Sequence, residues 1–393
     1  MRSGNGHTTL HIKRSLIICL FFFMAFRCLS QGKDFVDKNN PIYIIYNLPN
    51  KSNITEKQKA WNKSKSGDAY NFMALRKTIG AINAMIQSTG ETYWINQQVA
   101  LINNLIETAQ TSSDIPGNLL FRDGFKSWIS LASNSTYHKE VPLYESYSFF
   151  YIMQFLFLVR NSAWMESSYN KFWWTNTLTF IEEHIWTKWY KRSFSSYKNH
   201  YRYFLRSRTH MGSHWAGLAL YLNAVTANPE IKSQTTLLIQ QYDTLLKRNL
   251  RAYQDGYIWN STYDNVERSF AGKSSESIIQ DVSHGNHVVS YIISAYVMES
   301  KNWTLNDIKK LSFTLKRIIY DAQHNRFRDN VDGSANIQRK GWGNFVGDGW
   351  VKLAAYDEET KVIFQKFEKS GMLKKYNQEL QFKANLYKII PDK

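Results

Sequence analysis

The sequence predicts an all-α protein, arranged as an α/α toroid of antiparallel helix hairpins, complete or incomplete, in a single domain. Apolar residues recur at three- and four-residue spacing in segment after segment, which is the period of an amphipathic helix. Runs with a two-residue period are scarce, and the six prolines of the 393-residue chain fall mostly between the apolar segments. Hydrophobic residues at 43% and charged residues at 21% describe an ordinary globular protein and exclude disorder as the main state.

Residues 1–30 read as a secretory signal peptide. Arg2, Lys13 and Arg14 precede an apolar run at 16–26, roughly eleven residues long, and the small Ser30 follows. That run is too short to span a bilayer as a helix of about 20 residues, and the best later stretch, 149–159, is interrupted by Gln154, so no transmembrane segment is expected. Cleavage after Ser30 removes four basic residues, Arg2, Lys13, Arg14 and Arg27, and lowers the formal charge from +17 to +13. It also removes both cysteines, Cys19 and Cys28, so the exported chain, periplasmic or secreted, relies on its core alone. A lipoprotein would keep Cys28 as its acylated first residue, but Ala25-Phe26-Arg27 puts bulky and charged side chains where small ones are wanted.

Residues 31–66 are polar and rich in Asn and Lys, and read as an extended lead-in to a helical domain over 67–393. Met73, Ile79, Ile82 and Ile86 form the first apolar stripe, and Ile95, Val99, Ile102 and Ile106 the second. Further helices are expected to start near Leu119, Tyr144, Trp164, Thr209, Ile231, His284, Leu305, Val346 and Lys361. Short turns such as 113–117 and 226–229 separate them, so successive helices pack as hairpins. No strict sequence repeat is visible, which argues against a tetratricopeptide-type solenoid. Two polar, aromatic stretches, 193–208 and 255–280, break the pattern, and each leads into a histidine-bearing helix.

The first histidine motif is Arg206-Ser-Arg208-Thr-His210-Met-Gly-Ser-His214-Trp215. With Thr209 as N-cap, His210 and His214 stand one turn apart on one face. The second is Asp281-Val-Ser283-His284-Gly-Asn286-His287-Val-Val-Ser-Tyr291, where Ser283 can cap and His284, His287 and Tyr291 share a face. Buried histidines hydrogen-bonded within a helical core are the plain alternative for each. A zinc site would use the spacing of His210 and His214 with Asp281 or His284, but His210 is followed by Met211 and not by the glutamate of metalloprotease helices, so no metal and no cofactor are expected.

Proton abstraction beside a carboxylate fits these residue types better. Removing the C5 proton of a uronic acid needs a base, a proton donor for the leaving oxygen, and groups that neutralise the carboxylate. Tyr291, His287, Asn286, His210, His214 and Arg208 are those types, and a net charge of +13 would attract a polyanion.

The two motifs, with the later Gly347-Asp-Gly-Trp-Val-Lys352, resemble the helical-toroid polysaccharide lyases that degrade alginate and glucuronan, most closely polysaccharide lyase family 38. The likeness extends from roughly residue 144 to residue 357 and rests on these short stretches. It implies β-elimination at a 1,4-linked uronate. Carried over, Tyr291 would be the acid and a candidate base, His287 or His210 the partner base, and Asn286 with Arg208 would face the carboxylate. In toroidal alginate lyases the catalytic tyrosine comes from a separate helix, so Tyr147, Tyr257 and Tyr263 compete with Tyr291. Glu145, at the start of its helix, is a candidate partner for a histidine or the sugar, and equally a solvated acid.

The remaining binding candidates are His214, His284, Tyr147 and Arg206, with Trp215, Trp259 and Trp342 as stacking faces, alongside Trp350. Arg339 and Lys340, next to Gly341-Trp342, are placed for neighbouring carboxylates, or are solvated loop charges. Trp173, Trp174, Trp186 and Trp189 recur at helical spacing and read as packing. A toroidal glycoside hydrolase would need two carboxylic acids, such as Asp123 or Glu145 with Asp281. A uronyl C5-epimerase would share the proton abstraction, and a non-catalytic glycan-binding lipoprotein would need none of it. Export and the lack of a recognisable motif argue against nucleic acid as the partner.

Overall fold

Helices make up most of the described chain, and the few strands are two or three residues long. The computed structural model describes residues 36–49, 53–118, 120–196, 201–205, 208–263, 278–375 and 377–390. The expected signal peptide, Cys28 and Arg206 lie outside the described residues.

Where an extended lead-in was expected, two helices form: α1 (Pro41–Asn47) and α2 (Glu56–Ser64). Each is started by a cap, the Asn40 side chain accepting from Ile42 N–H and Thr55 from Gln58 N–H, and Tyr46 and Ala60 are buried. The Asn- and Lys-rich composition hid these short amphipathic turns. Next come α3 (Ala69–Thr89), capped by Asp68 and ended by Gly90 in the left-handed region at φ 67°, and α4 (Thr92–Glu107). The helix expected near Leu119 is absent among the described residues. Turns and a two-strand ladder, β1 (Gln110–Thr111) with β2 (Lys126–Ser127), occupy that stretch.

The chain continues with α5 (Pro142–Val159), then α6 (Ser168–Phe180), a π-helical stretch at Ile181–Thr187, α7 (Lys188–Ser196) and α8 (Arg202–Leu205). Then follow α9 (Thr209–Val225) and α10 (Pro229–Asn249), the hairpin β3 (Arg251–Tyr253) and β4 (Gly256–Ile258), and α11 (Val282–Val297). The last elements are α12 (Leu305–Phe313), the ladder β5 (Tyr320–Asp321) with β6 (Arg326–Phe327), α13 (Gly349–Lys352), α14 (Glu358–Glu368), α15 (Met372–Lys375) and α16 (Glu379–Ile389).

Six of these helices pack in a closed cycle: α3 on α5, α5 on α9, α9 on α11, α11 on α13, α13 on α16, and α16 back on α3. Hydrogen bonds set the register of four of them. Asn83 on α3 donates to Gln154 on α5 at 2.9 Å, and Gln154 donates to the Tyr221 hydroxyl on α9 at 3.1 Å. Ser294 on α11 meets the same hydroxyl. Counting back seven residues from each gives Arg76, Tyr147, His214 and His287, so these four helices run parallel and in step, and two levels about 10 Å apart face the middle of the cycle. Both α4 and α10 pack outside this cycle, on α3 and α9. The apolar core is two groups of buried side chains, and Leu205, Ile239 and Met298 pack against both.

Candidate active site

The level at Arg76, Tyr147, His214 and His287 is where the chemistry converges. Ring centres lie 4.3 Å apart for Tyr147 and His214, 4.5 Å for His214 and His287, and 5.8 Å for Tyr147 and His287. The Arg76 guanidinium stands 4.2 Å from the Tyr147 ring centre, and its Nη2 is 3.4 Å from His287 Nε2. Because an arginine only donates, that approach requires an unprotonated Nε2 and puts the His287 proton on Nδ1. Nδ1 faces Asp348 Oδ2 at 3.9 Å, too far for a hydrogen bond, so the attraction is electrostatic.

Asp348 is itself fixed by the Tyr151 hydroxyl at 2.6 Å and Lys352 Nζ at 2.7 Å. Its place depends on Gly349. A Cβ there would run into the backbone of Asn286 and Ser290, so glycine lets α13 lie directly on α11. The same close contact lets Trp350 N–H donate to Asn286 Oδ1 at 3.0 Å, which fixes the amide and leaves its NH2 to donate.

One turn nearer the helix starts, the rings of His210 and His284 are 4.2 Å apart. Asp281, not Ser283, caps α11: its Oδ1 accepts from His284 N–H at 3.0 Å and from the Ser283 hydroxyl at 2.8 Å. Asp281 also lies 2.9 Å from His284 Nδ1, while Arg339 Nη1 reaches Asp281 Oδ2 at 2.6 Å and the same His284 nitrogen at 2.8 Å. A protonated Nδ1 bonds Asp281, and an unprotonated one accepts from Arg339, so His284 has two alternative partners. Trp342, 41% exposed, lies 6.2 Å from His284 under the Arg339 guanidinium and forms the rim. At the start of α9 the cap residue is Arg208. Thr209 is the first helical residue and sends its hydroxyl to Gln280 at 2.8 Å.

Burial decides the charge states. It pushes His210 and His214 well below the usual histidine range, with the neighbouring histidines adding to the effect, and brings His287 down to about 4. These three imidazoles are therefore neutral at pH 7. Burial also raises the Tyr147 hydroxyl, so it holds its proton, although Arg76 opposes the shift. For Asp348 burial pushes the carboxyl up, but Lys352 and His287 outweigh it and hold it below the usual range. Asp281 behaves likewise through His284 and Arg339. His210 Nδ1 and both nitrogens of His214 are buried with no hydrogen-bond partner among the described residues. The level thus combines a proton-holding tyrosine, neutral imidazoles with free lone pairs, and one fixed cation.

Four expected site residues are elsewhere. Tyr291 is fully buried in the core, donating to Asp243 Oδ1 at 2.6 Å and standing edge-on to Tyr242. The direction that His284 takes at the mouth meets α10 two turns deeper, which is where Tyr291 points. Glu145, also fully buried, faces away from the histidines, with Lys188 Nζ at 2.8 Å and Trp189 Nε1 at 2.7 Å. Trp215 packs edge-on against Phe204, and Trp259 stacks on Trp350, so neither indole presents a face to a sugar. Of the competing tyrosines, Tyr263 is buried beside Tyr242 and Tyr257 bonds Asp307, so Tyr147 alone meets the histidines.

Arg76 was not singled out from the sequence, and Asp348 was read only as part of the motif at 347–352, with no role of its own. Arg76 sits on the apolar stripe between Met73 and Ile79, and a lone cation on a core-facing stripe is a readable signal. No three His, Cys, Asp or Glu side chains among the described residues are grouped to hold a metal ion. No described helix is long and apolar enough to cross a membrane. Comparison with protein-family models, curated proteins and solved structures gives no match to this chain.

Proposed function

We propose that the chain is an exported polysaccharide lyase that cleaves a 1,4-linked uronic-acid polymer by β-elimination, and that the closed cycle of helices is the inner wall of an α/α toroid. The observation that carries this is the meeting of Tyr147, His214, His287 and Arg76 at one level of four parallel helices.

Arg76, aided by the Asn286 NH2, takes the uronate carboxylate, and the carbon that bears it then lies next to His287 Nε2. Neutral His287 removes the C5 proton, and the Arg76 charge stabilises the carbanion-like state. The C4–C5 double bond forms as the C4–O bond breaks, and the electron pair leaves on the glycosidic oxygen, which takes the Tyr147 proton. Asp348, 3.9 Å from Nδ1, stabilises the imidazolium that results. His210, His284 and Arg339 line the approach, with Trp342 as an exposed indole face for a sugar ring.

Against a hydrolase, the candidate acids are all committed: Glu145 to Lys188, Asp123 to Arg192, and Asp281 to Arg339 and His284. The test is incubation with polymannuronate, polyguluronate, glucuronan and glycosaminoglycans while ultraviolet absorbance and reducing ends are followed. Absorbance from the conjugated double bond is expected with one of them. Reducing ends without absorbance would identify a hydrolase, and C5 inversion without chain cleavage an epimerase.

A further inference from the structure

Beside α3, on the side away from Tyr147, lies a groove of about 720 Å3. Its cationic lining comes from three parts of the chain: Lys59 and Lys63 of α2, Lys77 of α3, and Lys374 and Lys375 of α15. The only carboxylates in its lining are Glu56, held by Lys59 at 2.6 Å, and Glu379, held by Lys383 at 3.2 Å. Lys63, Lys77 and Lys374 form no ion pair among the described residues, and Lys77 bonds the Asn377 carbonyl at 3.3 Å.

A chain of side-chain contacts links the groove's Lys77 to the candidate active site. Arg76 and Lys77 are consecutive, one turned toward Tyr147 and His287 and the other toward the groove. Lys77 Nζ stands 5.4 Å from the Phe345 ring centre, Phe345 lies 6.0 Å from Trp342, and Trp342 lies 6.2 Å from His284. Two aromatic rings, Trp342 with Arg339 over it and then Phe345, therefore lead from the histidines to Lys77. The volume falls within the roughly 300–1,000 Å3 that holds a ligand larger than a single sugar.

We propose that this groove binds further units of the acidic polysaccharide, so that the chain passes from the histidines over Trp342 and Phe345 onto Lys77, Lys63 and Lys374. This rests on the reading of the histidine level as a uronate-cleaving site. Unneutralised, half-buried cations repel one another: burial, with Arg76 and Lys63 adding to it, lowers Lys77 to about 8. Lys63 is lowered too, by burial and by Lys59 against the pull of Glu56. Carboxylates spaced along a polymer relieve that repulsion, and the exposed Ile44 and Leu48 on the groove wall offer apolar surface to sugar C–H faces.

The test uses the full chain carrying Tyr147→Phe, so that bound substrate is not consumed. Affinities for mannuronate, guluronate and glucuronate oligomers of defined length are measured by calorimetry at two salt concentrations. Affinity should rise with length, and Lys63→Glu with Lys77→Gln should weaken long oligomers roughly tenfold, or about 1.4 kcal/mol. The shortest oligomer should change less than about twofold, and the salt dependence for long ones should diminish. Lys374→Glu, at an exposed position, repeats the test if the double variant fails to fold, and Lys309→Glu on α12 makes the same charge change outside the groove and should have no effect. The inference is overturned if no oligomer binds, if length dependence survives the lysine changes, if short and long oligomers weaken equally, or if Lys309→Glu acts as strongly. Tighter lysine-dependent binding of a single-stranded oligonucleotide would overturn the assignment to polysaccharide. Lysine-dependent oligouronate binding by a chain that generates no absorbance with any polyuronate would sink the lyase reading and leave the groove standing.

Discussion

Two buried polar clusters lie against the first half of α5, and they are completed in opposite ways. On one side Glu145 meets Lys188, Trp189 and Ser127, while nearby Glu140 meets Arg192, Asn118, Ser112 and Ser127, and Arg192 also reaches Asp123. On the other side His214 and Tyr147 pack with His287, and imidazole nitrogens are left without partners among the described residues. Glu145 and Tyr147 are two residues apart, about 200° around the helix, so one helix start serves both. An unpartnered buried polar atom costs about 1–3 kcal/mol, whereas a fully bonded network holds the fold. The difference leaves the histidine side as the less completed of the two, and it is the side to which the proposed chemistry is assigned.

The comparison breaks first on tyrosine. Tyr147→Phe should lower the elimination rate by about 10²–10⁴, the usual contribution of a positioned proton donor, with little change in thermal midpoint. Tyr291→Phe should do the reverse. It removes a donor from buried Asp243 and costs about 1–3 kcal/mol of stability, while the rate stays near that of the unchanged chain. If Tyr291→Phe abolishes activity at an unchanged midpoint, the assignment of Tyr147 is wrong.

The bonded cluster gives the next largest effect. Burial raises the Glu145 carboxyl and lowers the Lys188 amine, so each charge is held by the other and by their hydrogen bonds, with Glu140 adding to the hold on Lys188. Glu145→Gln or Lys188→Met alone should cost about 3–5 kcal/mol in denaturant unfolding, because the remaining partner stays buried. The double variant should recover much of that loss. Turnover measured below the melting range should hold in all three. A collapse of turnover in the folded Glu145→Gln protein would return Glu145 to the substrate.

Acid should act on the histidine side before it reaches the carboxylates. The unfolded chain protonates its histidines near pH 6.5, whereas His287 resists to about 4 and burial holds His210 and His214 well below the usual histidine range too. The unfolded state then holds more protons, so stability falls as pH drops from about 6.5 toward 4, by up to about 1.4 kcal/mol per pH unit for each histidine. Asp281 and Asp348, whose carboxyls are held low, add their losses only below the ordinary aspartate range near 3.8. The thermal midpoint should therefore decline between pH 6.5 and 4.5, and His214→Gln should flatten the decline. A midpoint that stays level across that interval would refute the neutral histidines.

Much of the helical layout was legible because apolar spacing records which face each helix buries. The starts of α5, α9, α10, α11, α12 and α14 fall within a few residues of their expected places. The two histidine motifs were legible for the same reason, since one helix face keeps His210 with His214 and His284 with His287. What failed needed knowledge of the neighbouring helix. Tyr291 shares the histidine face by rotation but meets α10 by depth, and Glu145 is turned away by where α7 lies. Arg76 joins the site only because α3 runs parallel to α5 in a register set by Asn83 and Gln154, which no local pattern encodes.

The smallest effect expected is at the rim. Trp342 is the one candidate indole with an exposed face, whereas Trp215 and Trp259 are almost wholly inside. Truncating it removes no core contact, so Trp342→Ala should leave the thermal midpoint unchanged. If the ring stacks on a sugar beside His284, its loss should raise KM by a few fold, as a contact of about 0.5–1.5 kcal/mol would, and leave kcat alone. A fall in kcat with KM unchanged would instead mean that Trp342 acts through Arg339, which lies over its face, on the pairing of Asp281 with His284.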